Sequence, residues 1–331
     1  MFKNKSLLIT GGTGSFGKAL LKYLIQNFKG FKKIIIFSRD ELKQFEMSNE
    51  FSENKYPFIR YFLGDVRDKS RFKRSLEGVD YVIHAAALKQ VPAAEYNPFE
   101  VIKTNINGAQ NIVESCLDTN VKKVIALSTD KAVSPLNLYG ATKLCSDKLF
   151  ISANNIVGKR KLSFSVVRYG NVMGSRGSVI PQFLKQKETG IINVTDKRMT
   201  RFNILMEDSI KLVLWALKNS IGGEVFVPKI PSYRILDLAR AVAPNCRINY
   251  VGLRPGEKLH EELISIGESY NAIDLKKYYA ILNFDKSLEK KYLRNKKAKK
   301  VQNEFSYSSG KNDKFLTPNE LIKLIKKSKI F

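Results

Sequence analysis

The chain has 331 residues, 44% of them apolar, and a formal net charge of +26 at pH 7. That length suits one large α/β domain, alone or with a smaller lobe, and the apolar fraction is ample for a core. No apolar run approaches the ~20 residues that cross a bilayer, and the N-terminus leads straight into a strand, so neither a membrane partner nor a signal peptide is expected. Cys116, Cys145 and Cys246 are odd in number and far apart, which fits reduced cytoplasmic thiols and no metal site. The lysines are scattered, densest over 286–300, with little aromatic interleaving. A basic cleft mouth that draws an anionic substrate uses part of this charge better than nucleic acid does.

Ser6 to Thr10 reads as an apolar strand. Thr10-Gly11-Gly12-Thr13-Gly14-Ser15-Phe16-Gly17 follows, then a helix through about Gln26. Gly11, Gly14 and Gly17 permit a tight turn and a pyrophosphate close to a helix N-terminus, where free N–H groups and the dipole favour an anion. Between a strand and a helix this is a strong dinucleotide signal, and Thr13, Ser15 and Phe16 belong to the same turn. Lys33 to Phe37 is the second strand. Where an NAD site carries an acidic ribose ligand, this chain has Ser38 and Arg39. Arg39 and Lys43 are four apart and can face one phosphate, which favours NADP. Asp40 reads as the N-cap of the next helix.

Arg60 to Leu63 gives a third strand, ending near Asp65 and Val66. Asp65 either accepts from an adenine amino group or caps the following helix. Tyr81 to Ile83 is the fourth strand, and the small residues Ala85 and Ala86 after it let backbone lie close to a dinucleotide. His84 reads as a packed or hydrogen-bonded histidine. Thr104 and Asn105 fall in the next helix, within reach of the loop that carries Tyr139. Lys123 to Leu127 is a buried strand, and Gly140 to Phe150 a helix. Tyr139 and Lys143 then sit four apart on one helical face. An ammonium near a phenol lowers a pKa that is ordinarily ~10. Tyr-x-x-x-Lys is weak alone, and its place after a strand and behind the glycine turn strengthens it.

Ser163 to Arg168 adds a sixth strand. The alternation predicts an α/β fold, a Rossmann-type doubly wound parallel sheet over 1–170 that binds its cofactor at the strands' carboxyl ends. Residues 171–331 are expected to form mainly a smaller C-terminal substrate lobe, with about 220–245 returning to the first domain. That lobe holds a loop over 169–178, helices from about Val179, over Asp208 to Lys218 with Trp215 inward, and over Ile235 to Ala243, and a basic turn at Arg254 to Lys258. Lys286 to Lys300 reads as a solvated helix or flexible insert. Thr317-Pro318-Asn319-Glu320 opens a last helix.

Thr10 to Gly17 with Tyr139-x-x-x-Lys143 resembles the extended short-chain dehydrogenases/reductases. Adding Ser38 to Gln44, Ser128 to Lys143, Arg168 to Pro181 and Arg254 to Glu261, the chain resembles the inverting UDP-N-acetylglucosamine 4,6-dehydratases. These make the first intermediate of pseudaminic acid, which glycosylates flagellin. The resemblance covers nearly the whole chain and is weakest over 286–301. Retaining enzymes carry Asp-Glu where this chain has Asp130-Lys131, and capsule-type relatives replace the tyrosine that is present here as Tyr139.

The resemblance implies NADP, UDP-N-acetylglucosamine as substrate, and a homo-oligomer of dimers, possibly a hexamer. It implies that Tyr139 takes the 4-hydroxyl proton and that Lys143 holds the nicotinamide ribose. Lys131 becomes the C5 base, Asp130 the acid at the C6 hydroxyl, and Thr129 a hydrogen-bond partner near O4 or O6. Those roles need an uncharged lysine and a protonated carboxyl. A surface ion pair is the competing reading of Asp130 and Lys131. Lys89, Asn171, Ile180, Thr195, Met199, Arg254 and Glu257 are implied to line the UDP-sugar site, with Arg254 on the diphosphate and Glu257 on ribose. From the residues alone, core packing for Met199 and a solvated turn for Arg254 are equally good readings. A reductase or 4-epimerase on the same fold, or a non-catalytic NADP-binding regulator, are the alternatives.

Overall fold

A computed structural model describes residues 2–175, 178–283, 286–294 and 298–328. Arg176 and Gly177 of the expected 169–178 loop, and 295–297 of the lysine-rich segment, lie outside the described residues. Short apolar runs form strands β1 (Ser6–Thr10), β2 (Lys33–Ser38), β3 (Ile59–Leu63), β4 (Tyr81–His84), β5 (Lys123–Thr129) and β6 (Ser163–Tyr169). Between them run α1 (Ser15–Asn27), α2 (Glu41–Glu50), α3 (Lys69–Ser75), α4 (Val91–Tyr96), α5 (Pro98–Ile102), α6 (Gly108–Leu117) and α7 (Leu138–Ser152). The six strands are parallel in the order β3-β2-β1-β4-β5-β6. Order reverses between β1 and β4, and such a switch point opens a crevice at the carboxyl ends.

Both faces of the sheet are covered. Leu7 and Ile9 of β1 point into one core and Leu8 into the other, the alternation of a strand buried on both sides. The chain continues through β7 (Asn171–Val172), α8 (Val179–Lys187), β8 (Ile191–Val194), β9 (Thr200–Ile204), α9 (Met206–Asn219), β10 (Glu224–Pro228), β11 (Ser232–Arg234), α10 (Ile235–Val242) and β12 (Arg247–Tyr250). It ends with β13 (Glu262–Ile264), α11 (Ile266–Ser269), β14 (Ala272–Asp274), β15 (Tyr278–Leu282), α12 (Lys286–Leu293), β16 (Lys299–Lys300), β17 (Tyr307–Ser308) and α13 (Pro318–Lys327).

The 220–245 segment divides. Strand β10 joins the large sheet beside β6, whereas α10 buries Leu238 and Ala239 in a third core with Phe183, Ile192 and Leu321. Helix α9 lays Trp215 edge-on against Phe226 at 5.1 Å. Among the described residues β15, β14 and β16 extend the sheet antiparallel beyond β10. The lysine-rich segment is therefore no detached insert. Lys286, Lys290, Lys291, Lys299 and Lys300 face water while Leu288 is buried, and Tyr292 donates to Oε1 of the fully buried Glu224 at 2.8 Å. That carboxylate also accepts from Ser165 Oγ at 2.7 Å and from the Ile221 N–H at 2.7 Å, the partners a buried ion needs. Helix α13 opens with a complete capping box between Thr317 and Glu320.

Two glycines set the β1–α1 turn. Gly11 adopts φ +63°, and a Cβ there would lie 2.8 Å from the Ala86 nitrogen. At Gly17 a Cβ would meet the Gly12 carbonyl oxygen at 2.3 Å, so α1 leans directly on the turn. Gly17→Ala should lower the unfolding free energy by ~1–3 kcal/mol, the usual cost of overpacking. A urea midpoint equal to that of the parent protein would contradict this packing.

Candidate functional site

A cleft of ≈ 680 Å³ opens at the carboxyl ends of the strands and runs from the β1–α1 turn to the β5–α7 connection. Gly11, Thr13, Gly14, Ser15, Phe16 and Gly17 wall one end. Gly14 caps α1 with no side chain bonded to the first-turn amides, so those N–H groups are left for an anion. Ser38, Arg39 and Lys43 stand beside the turn, and Asp65, Val66, Ala85, Ala86 and Thr104 complete this half. His84 is a buried hydrogen-bonded residue, its Nδ1 2.8 Å from Thr10 Oγ1.

Arg39 and Lys43 are each held by a local carboxylate. Arg39 lies 3.6 Å from Asp65 Oδ2, and Lys43 pairs with Asp40. Asp40 caps α2, accepting from the Lys43 N–H at 3.0 Å. Asp65 does not cap α3. Asp68 does, accepting from the Arg71 N–H at 2.9 Å, while Asp65 takes the Arg67 guanidinium at 2.7 and 2.9 Å. Asn105 departs from its expected place. It sits behind the cleft wall in a π-helical turn, accepts from the Leu88 N–H at 2.9 Å, and donates to the Leu88 carbonyl at 2.9 Å and Thr142 Oγ1 at 3.1 Å. With every group engaged, it ties the 85–89 loop to α7.

At the other end β5 runs two residues further than expected, to Thr129, and α7 begins earlier, at Leu138. Asn137 caps α7, accepting from the Gly140 N–H at 2.8 Å. Tyr139 is half-buried and Lys143 only 3% exposed, and both face the cleft. Burial pulls the Lys143 pKa down, and Asp147, one turn on, opposes it. The expected lowering of the Tyr139 phenol is not what the site produces. Burial pushes its pKa up to about 12, outweighing Lys131 and the Thr129 hydroxyl, which pull it down.

Asp130 and Lys131 do not form a surface pair. Asp130 is 1% exposed, and its Oδ1 accepts from Thr129 Oγ1 at 2.9 Å and Lys131 Nζ at 3.1 Å. Glu261 Oε1 lies 3.4 Å from the same Nζ. Burial disfavours the Lys131 ammonium, yet the two carboxylates win and its pKa is raised. The lysine therefore rests charged, contrary to the uncharged state its expected role requires. Burial raises the Asp130 carboxyl, with Lys131 opposing.

Of the expected sugar-site residues, Lys89 and Asn171 line the cleft. Ile180 and Met199, 3% and 2% exposed, pack into the small-lobe core and are off the cleft wall, because their apolar side chains fill the space between α8 and α10. Thr195 follows β8, where its carbonyl accepts from the Gly252 N–H at 3.1 Å. Arg254 is exposed on its turn, and Glu257 Oε1 stands 3.5 Å from Arg201 Nη2. This turn hangs from the β5–α7 connection. Asn137 Nδ2 donates to the Gly256 carbonyl at 2.9 Å, and Lys258 Nζ donates to the Val133 carbonyl.

Four residues without an assigned role in the sequence reading support the site. Asp147 continues the Tyr139–Lys143 ladder by one more turn and accepts from Ser128 Oγ at 2.7 Å. Asn137 was legible as a cap three residues before Gly140. Glu261 reaches Lys131, and Arg201 reaches Glu261, from distant sequence, and neither left a local signal.

Residues 7–283 match the family described as "Polysaccharide biosynthesis protein". The chain belongs to this family. Within it, a UDP-N-acetylglucosamine 4,6-dehydratase (inverting) from Campylobacter jejuni is 53% identical over 98% of each chain. A UDP-glucose 4-epimerase from Rickettsia bellii is 46% identical over 85% of this chain and 84% of its own. The solved structure of Pen from Bacillus thuringiensis superposes with a TM-score of 0.90 at 39% identity, covering 100% of both chains. More distant solved structures, a dTDP-glucose 4,6-dehydratase from Streptomyces venezuelae and a UDP-N-acetylglucosamine 4-epimerase from Methanobrevibacter ruminantium, share the fold at TM-scores of 0.66 and 0.65.

Because Asn137 both caps α7 and holds the Gly256 turn, Asn137→Ala should lower stability by ~1 kcal/mol, the worth of a cap. Asn137→Asp keeps the capping oxygen and should recover most of that loss. Denaturant midpoints check both, and a parental midpoint for the alanine variant would remove the cap from the argument.

Proposed function

We propose that the protein is a configuration-inverting UDP-N-acetylglucosamine 4,6-dehydratase that works with NADP. The observation that carries this reading is one cleft holding two proton-transfer pairs, Tyr139–Lys143 for an alcohol and Asp130–Lys131 for an elimination. The name of the Campylobacter jejuni relative supports it. An epimerase, the name of the Rickettsia bellii relative, moves hydride at C4 alone and has no use for the second pair.

The glycine turn and the open α1 amides fit a pyrophosphate, Arg39 and Lys43 a 2′-phosphate, and Lys143 the nicotinamide ribose. When bound, the nicotinamide accepts a hydride from the sugar and later returns it. Tyr139 as phenolate takes the 4-hydroxyl proton, a form that Lys131 and the Thr129 hydroxyl favour against burial. The resulting ketone acidifies C5–H. The Lys131 amine takes that proton, the C6–O bond breaks, and the Asp130 carboxyl protonates the departing hydroxyl to give water.

The resting ion pair already holds the proton this step requires. Moving one proton from Lys131 Nζ to Asp130 Oδ1 across 3.1 Å gives a neutral amine and a protonated carboxyl. Elimination then returns the pair to ammonium and carboxylate, so the ion pair of the free protein is the state the step regenerates. Two protons leave the sugar, from O4 and C5, and two are consumed, in water and at C5 on its opposite face. Net oxidation is zero.

The resemblance of 128–143 and 254–261 supports placing this step in the cytoplasm, at the start of pseudaminic acid synthesis for flagellin glycosylation. Among the described residues no helix is long and apolar enough to cross a membrane. Exposed Tyr96, Phe99 and Leu136 support self-association.

Purified protein with UDP-N-acetylglucosamine in deuterated water should give, by proton NMR, an L-arabino 4-keto-6-deoxy sugar with deuterium at C5. A C4-epimer as the sole product would overturn the reading. Lys131→Met should still bind the sugar nucleotide and show no C5 exchange, and rapid exchange in that variant would move the base elsewhere. Arg39→Asp should weaken NADP far more than NAD in a binding titration. Equal losses would count against the 2′-phosphate assignment.

A further inference from the structure

We infer that Glu261 is a positioning residue that decides where the proton of the Asp130–Lys131 pair resides, keeping it off its own carboxyl and available to Asp130. The inference rests on the dehydratase reading for its meaning and on geometry for its support. Glu261 is 2% exposed and fixed through its backbone, its N–H donating to Ser309 Oγ at 2.9 Å and its carbonyl accepting from the Ser309 N–H at 2.8 Å. Its Oε1 faces Lys131 Nζ at 3.4 Å and Arg201 Nε at 3.7 Å. Across the ammonium, Asp130 Oδ1 stands at 3.1 Å. Among the described groups Asp130 Oδ2 and Glu261 Oε2 are both buried without a hydrogen-bond partner.

Two carboxylates thus share one ammonium, and they are not equivalent. Glu261 alone also has a guanidinium, from Arg201 of β9, which is 6% exposed. Lys258, whose ammonium lies on the Val133 carbonyl, adds a second cation on the Glu261 side. Lys89 faces Lys131 from the cleft, and the phenols of Tyr139 and Tyr233 complete the surroundings. Burial of Glu261 is outweighed by Lys131, Arg201 and Lys258, so its carboxyl is held below the usual range. At Asp130 burial dominates and the charge of Glu261 adds to it, so that carboxyl is held above the usual range. Two like groups whose surroundings drive them apart take separate roles, one a fixed anion and the other a proton carrier.

The signs of the effects follow. Glu261→Gln removes an anion from the pair's surroundings and weakens its hold on the proton. Both limbs of the pH–rate profile should move to lower pH, by about 1–2 units for a charge at this range. Glu261→Asp keeps the charge and should keep the profile in place. Arg201→Gln removes a cation and should move the limbs the other way. A purely structural role for Glu261 lowers the rate without moving the profile, and that result would overturn the inference. A carboxyl NMR titration of the NADP-loaded enzyme, carrying 13C at Asp Cγ or Glu Cδ and assigned with Asp130→Asn, provides a readout independent of turnover. Asp130 should titrate above Glu261 in the parent protein, which decides the matter even where a variant does not fold. The reverse order would overturn the inference. Absence of any 4-keto sugar with the expected titration order would instead remove the dehydratase reading and leave the charge assignment standing.

Discussion

Lys131 takes counter-charge from two segments far apart in the chain, and the arrangement of the cleft depends on that convergence. Its Nζ is placed by the β5–α7 connection, with Asp130 beside it in sequence. The second carboxylate, Glu261, arrives from the segment that leads into β13. A largely buried cation with one partner removed is costly, by several kcal/mol in comparable sites. The β5–α7 connection and the segment before β13 are therefore held together at the cleft, and the Asn137–Gly256 and Lys258–Val133 bonds repeat the same connection.

Desolvation is the common theme of the ionisable groups here, and neighbours decide whether it prevails. It prevails at Tyr139 and at Lys143, raising the pKa of the phenol and lowering that of the ammonium. It loses at Lys131, where two carboxylates lie within 3.1 and 3.4 Å. Beneath the pair, Arg168 is 1% exposed and binds Glu268 at 2.9 Å and Asp147 at 3.5 Å, so Asp147 is shared between a guanidinium and the lysine of the Tyr-Lys pair. The cleft is thus a set of compensated charges in which a single proton can move without leaving an isolated ion.

The sheet explains why these groups meet. Strands β4, β5 and β6 end side by side, and the connections after them carry Ala85 and Ala86, Asp130 and Lys131, and Asn171. The order reversal at β1 and β4 leaves room for the glycine turn, whose tightness rests on Gly11 and Gly17. Past β6 the regular alternation stops, and the later chain is used twice. Part extends the sheet through β10, β15, β14 and β16, and part builds the small lobe around Phe183 and Leu238.

The sequence by itself determined the parallel sheet, the glycine turn, the Tyr139–Lys143 spacing and the capping of α2 and α13. Each of these is written in residues a few positions apart, where periodicity and local hydrogen bonding act. Tertiary structure alone decided that two carboxylates flank Lys131, that Asn105 is hydrogen-bonded to Leu88 and Thr142, that Met199 lies in the small-lobe core, and that Asp65 binds Arg67. It alone divided the 220–245 segment between sheet and lobe and anchored the lysine-rich stretch through Tyr292. The physical reason is the same in each case. A pKa, a buried contact or a strand's neighbour is set by groups brought close in space, and Glu261 is 130 positions from Lys131 along the chain but 3.4 Å from it in the fold.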